Sequence, residues 1–128
     1  MDHPPLANAE LALMELLWEH SAGSTARELQ EQLYREATRA QHGTVQRLLQ
    51  RLEAKGYVAR DRNAPVQRFT ARIGREAYAS GQLEALAARL SGGSLAPLIT
   101  HLIEDRKISR AEIARLRRIL NERREVGP

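Results

Sequence analysis

Thr44, Gln46 and Arg47 fall within four residues of one another and offer groups that match the edges of nucleic-acid bases. A Gln amide can pair bidentately with adenine, an Arg guanidinium with guanine, and a Thr methyl can touch thymine. Around them stand Gly43, Gln50, Arg51, Lys55, Arg60, Arg62 and Arg68, a set suited to the backbone of a duplex. Phosphate contacts supply most of the affinity of such a complex and set its register. Residues 39–72 carry seven Arg and one Lys against Glu53 and Asp61, a net of +6, whereas 1–38 carry −5 and 73–128 carry +3. A basic block inside a chain of net charge +4 points to a local anionic partner. A solvated face, or a surface for RNA or an acidic protein, is the reading these residues alone leave open.

Those side chains need a rigid support, and the apolar spacing predicts one. Val45, Leu48, Leu49 and Leu52 recur at i, i+3, i+4 and i+7, which predicts a helix over about 43–55 with Gln46, Arg47, Gln50 and Arg51 directed toward the other side. Gly56 is placed to end it in a left-handed cap. Upstream, Leu6, Leu11, Met14, Leu17 and Trp18 predict a helix over about 8–20, capped by Asn8, with Glu10, Glu15 and Glu19 on its solvated side. Thr25 and Glu28 have capping-box spacing for a second helix running to about Glu36. "ATRAQHG" then reads as a polar connector. After Gly56, "YVARD" and "QRFTA" alternate as half-buried strands do, with a turn at "RNAP". Three helices followed by a hairpin is the order of a winged helix, a helix-turn-helix variant. Its third helix enters the major groove and its hairpin, the wing, meets the backbone or the minor groove.

From residue 74 the pattern changes to three leucine-rich helices: one ending at Gly92-Gly93, one opening at Ser94, and one capped by Ser109 with Glu112 at the box position. Tyr78, Leu83, Leu86, Leu90, Leu95, Leu98, Ile99, Leu102, Ile113, Leu116 and Leu120 form apolar stripes with little within the segment to pack against. Left open they would be patches of aggregating size, which predicts a homodimer. The expected architecture is mainly α, with a winged-helix domain at 1–73 and a helical dimerisation domain at 74–128.

Other classes find little support. The four His are scattered without metal-ligand spacing, no Cys is present, and no nucleotide-binding loop or nucleophile motif occurs. No enzyme activity, metal or cofactor is expected. The N-terminus lacks a signal peptide's pattern and no apolar run approaches the ~18 residues of a membrane helix, so a cytoplasmic chain without membrane insertion is expected.

"LANAELALMELLWE", "TARELQEQL", "GTVQRLLQRLEAKGYVARDR" and "GGSLAPLITHLIEDRKISRAEIARLRRIL" resemble successive blocks of the penicillinase-repressor family, the BlaI/MecI/CopY type, over about residues 6–122. The resemblance implies a homodimeric winged-helix transcriptional repressor on a palindromic operator in double-stranded DNA. It implies that Thr44, Gln46 and Arg47 face bases, with Arg51, Lys55 and the wing arginines on phosphate, and that the dimer forms from about residue 75 onward. The sequence departs from the family at Ala7, often a capping Thr, and at Arg47, often a second Thr, so a different operator is expected. In the β-lactam-responsive members a protease cuts an Asn-Phe bond after the "GGSL" junction; the aligned pair here is His101-Leu102. A membrane sensor-protease is therefore only a candidate partner. Without Cys the thiolate sensing of the copper-responsive members is absent.

Overall fold

The computed structural model describes residues 3–35 and 38–126. The elements, in order, are α1 (Asn8–Glu19), β1 (Ser24–Thr25), α2 (Ala26–Leu33), α3 (Arg39–Ala54), β2 (Val58–Asp61), β3 (Arg68–Ala71), α4 (Arg75–Leu90), α5 (Ala96–Glu104) and α6 (Arg110–Val126). Mainly helical with one small antiparallel sheet, this is consistent with a winged helix. The chain divides into two compact units, Met1–Gln82 and Leu83–Pro128. Among the described residues no helix is long and apolar enough to cross a membrane.

The first unit closes on its own core. Leu13, Met14 and Leu17 of α1 meet Leu29 of α2, the Val45, Leu48, Leu49 and Leu52 stripe of α3, and Tyr57, Val58 and Phe69 of the hairpin. Burying each such side chain contributes roughly 1.5–3 kcal/mol. Tyr78 of α4 packs on this core too, its hydroxyl accepting from the Leu6 N–H at 2.9 Å and its ring edge-on to Tyr57 at 5.8 Å. The N-terminal unit therefore extends past the hairpin into α4.

The sheet has the order β1-β3-β2, with Ser24 opposite Phe69 and Arg60 opposite the same residue on the other edge. Strand β1 was not expected from the sequence, being two residues long and hidden in a capping motif. Gly23 precedes it at φ +95, and a Cβ there would stand 2.9 Å from Thr70 Cγ2 and 3.1 Å from the Phe69 carbonyl oxygen. Both the backbone angle and the close approach demand glycine.

Helix α3 begins four residues before its expected start. Thr38 and Gln41 form a reciprocal capping box, each side chain accepting from the other's backbone N–H at 3.2 Å. That box turns the supposed connector into a first helical turn, and the helix reaches 16 residues, roughly 24 Å. It ends at Gly56 (φ +85), where the Tyr57 N–H returns to the Leu52 carbonyl at 2.8 Å. Helix α2 stops at Leu33, where Tyr34 turns extended, rather than near Glu36, which lies outside the described residues. The cap of α1 is Ala7, not Asn8; alanine offers no acceptor, but its N–H donates to Glu10 Oε1 at 2.9 Å. Helix α5 opens at Ala96 after Leu95 rather than at Ser94.

Candidate nucleic-acid interface

Burying Val45, Leu48, Leu49 and Leu52 fixes the rotation of α3. Its opposite ridge runs through Ala40, Gly43, Arg47, Gln50 and Ala54, spaced three and four residues apart; all but the half-buried Gly43 are exposed. The small residues Ala40 and Gly43 leave space beside the longer Arg47 and Gln50. Arg39 lies on the first turn and Arg51 on the flank, both exposed. Arg39, Arg47, Arg51 and Arg72 make no ion pair among the described residues, so their charge is available to a partner.

The three expected base-facing residues are not equivalent. Arg47 is exposed and its Nη2 donates to Thr44 Oγ1 at 3.3 Å. The Thr44 hydroxyl in turn donates back to the Ala40 carbonyl at 3.0 Å, so it orients Arg47 while being itself half-buried. Gln46 is half-buried on the other flank, with its amide 3.4 Å from His42 Nε2.

The cations expected on phosphate separate into free and tethered. Lys55 donates to Glu10 Oε1 at 2.8 Å, and the Glu10 side chain is only 2% exposed. Glu10 is thus not on the solvated side of α1, as the sequence suggested, although Glu15 and Glu19 are exposed. Burial opposes ionisation of Glu10, but the Lys55 hydrogen bond, the Ala7 N–H and the charges of Lys55 and Arg51 outweigh it and lower its pKa. Its second oxygen has no partner among the described residues. Lys55 therefore ties the end of α3 to α1, a job that competes with phosphate.

The wing arginines are similarly engaged. Arg60 lies over the Phe69 ring at 4.9 Å, pairs with Glu53 Oε1 at 3.2 Å and donates to Gln67 at 3.0 Å. With its side chain 15% exposed it is closer to a strut of the hairpin than a free cation. Arg62 is 69% exposed and 3.8 Å from the other oxygen of Glu53. Arg68 reaches Glu28 at 3.7 Å and the Gly23 carbonyl at 3.3 Å. The Glu28 carboxyl is held below the usual range first by the Thr25 backbone N–H, then by the Thr25 hydroxyl, with Arg68 adding to this against a small burial effect.

Arg39 and His42, both exposed on the first turns of α3, were not among the residues expected on this surface. The available signal was the Thr38-x-x-Gln41 spacing, which extends α3 over residues 39–42. Among the described residues no cluster of acids and histidines could hold a metal.

In the second unit the apolar stripes remain open. Leu83 (52%), Leu90 (67%), Ile99, Leu102, Leu116 and Leu120 are exposed, while Leu86, Leu95, Leu98 and Ile113 are half-buried. Ile103 and Ile119 are exposed as well. Tyr78, expected with this set, is instead spent on the N-terminal core. His101 and Leu102 lie exposed on α5, with His101 Nε2 3.1 Å from Asp105.

A family model described as penicillinase repressor matches residues 6–122 of the chain. The chain is also similar to the penicillinase repressor of Bacillus licheniformis, at 29% identity over 119 residues, 93% of this chain and 91% of that protein.

Proposed function

The chain belongs to the penicillinase repressor family of transcriptional regulators, and from that premise we propose that it represses transcription as a homodimer bound to a palindromic operator in double-stranded DNA. The outward ridge of α3 enters the major groove, where Arg47 and Gln46 read base edges and Thr44 orients Arg47. Gln50, expected on the backbone, lies exposed next to Arg47 on the same ridge and joins the base readers instead. Arg39, Arg51, Arg62 and Arg68 meet phosphates, with Gly43 allowing the backbone close to the groove. The observation that carries this reading is the free cationic ridge of α3 beside the hairpin. A 24 Å helix with Arg47 and Arg51 unpaired on its outer side fits a groove roughly 12 Å wide.

Residues 1–73, completed by the first turns of α4 that carry Tyr78, supply the DNA-binding part, and the rest of 74–128 the dimerisation part. The exposed leucines and isoleucines of α4, α5 and α6 support the latter, because a second copy offers an identical apolar face. Two linked winged helices then read half-sites separated by whole helical turns.

The test is selection from a random duplex pool by the full chain, followed by titration against salt. A common inverted repeat, with affinity falling steeply as salt rises, is expected. Binding that ignores sequence, or preference for RNA or an acidic protein over every duplex, would refute the proposal.

A further inference from the structure

One polar side chain of the N-terminal core has no part in the reading above. Gln30 of α2 is 5% exposed, and its Nε2 donates to the Thr38 carbonyl at 3.0 Å. A carbonyl only accepts, so this bond fixes the amide and turns Oε1 toward His42 Nδ1, 3.2 Å away. The acceptor facing Nδ1 requires that Nδ1 carry the proton. The neutral ring then presents Nε2 as an acceptor, and the Gln46 amide lies 3.4 Å from it. Flipping that amide would set its carbonyl oxygen against the Nε2 lone pair.

We propose that His42 is a positioning residue for base reading: held by Gln30, it selects one of the two orientations of the Gln46 amide. This rests on the reading of α3 as the helix in the major groove. With one Gln46 N–H given to His42, Oε1 and the second N–H remain on the outer edge. An acceptor beside a donor is the pattern that pairs with N6 and N7 of adenine. A glutamine free to flip presents the reverse pattern as readily and discriminates less. The relay from the cap of α3 through α2 and back to α3 thus converts a buried hydrogen bond into a choice of base.

The experiment uses duplexes selected from a random pool by the unaltered full chain, then variants at one base pair. Q46A is expected to lower discrimination at one position about tenfold. H42N keeps a short amide for Gln30 but cannot reach Gln46. It is expected to relax the same position about threefold or more, leaving the other positions and the thermal unfolding unchanged. If H42N keeps full discrimination at the position that Q46A relaxes, the inference is overturned while the repressor reading stands. The same holds if Q46A relaxes no position, or if H42N melts lower and weakens every duplex alike, which is the mark of a purely structural role. If the unaltered chain selects no sequence, both the repressor reading and the inference fall.

Discussion

Helices α3 and α6 are 16 and 17 residues long, and both carry a leucine-rich stripe. Leu49 of α3 is fully buried, whereas Leu116 of α6 is 43% exposed. The difference lies in what the chain places opposite each stripe. Helix α3 has α1, α2 and the hairpin around it, with Tyr57 and Phe69 supplying aromatic bulk. The second unit, by contrast, has its only fully buried apolar side chain, among the described residues, in the small Ala87. An apolar stripe specifies a face to be covered, and only the neighbouring elements decide whether the same chain covers it.

Substitutions in the two units should therefore separate cleanly. Phe69→Ala removes a ring that fills the sheet side of the N-terminal core and is expected to cost about 3–5 kcal/mol. Denaturant unfolding should show this, with sedimentation of the folded fraction unchanged. Leu116→Asp should do the reverse. It places a charge in the proposed dimer face and is expected to raise the dimer dissociation constant at least about a hundredfold. Sedimentation velocity across micromolar concentrations reads it; an unaltered dimer would remove α6 from the interface.

Lys55→Met sharpens the comparison inside the first unit. It strands the Glu10 carboxylate and should cost about 2 kcal/mol, less than the 3–5 of a fully enclosed pair because Lys55 is partly exposed. The sign with pH follows from the lowered pKa of Glu10. Its stabilisation is complete above the unfolded value of 4.5 and is lost as pH falls through the lower folded value. The unaltered chain should lose stability on that acid limb, and Lys55→Met should flatten it. Urea midpoints measured between neutral pH and pH 3 would show both. The smallest effects belong to the surface. Arg47→Ala should weaken the selected duplex about tenfold and relax one base pair, whereas Arg62→Ala should weaken all duplexes alike, about two- to threefold. Uniform loss for Arg47→Ala would make it a phosphate contact.

Much of this was readable in the residues. The i, i+3, i+4, i+7 stripe of 45–52 fixed which side of α3 faces inward, and Gly56 marked its end. What escaped reading depends on partners distant in sequence. Glu10 looked like its neighbours Glu15 and Glu19, and nothing local showed that Lys55, 45 residues away, would meet it inside. The wing arginines look alike in sequence, yet Arg60 lies over Phe69 while Arg62 extends outward, because cross-strand register determines which of them faces the ring. The packing of the half-buried Tyr78 on this core likewise required Leu6 and Tyr57 to converge on it.

The three-stranded sheet has a consequence for solubility. Both sides of β3 are occupied, leaving as rims a two-residue β1 and a β2 that carries Arg60 and Asp61. A rim so short on one side and so charged on the other gives a stray strand little to zip onto. The sheet thus lacks the long bare edge from which strand-by-strand growth into fibres starts.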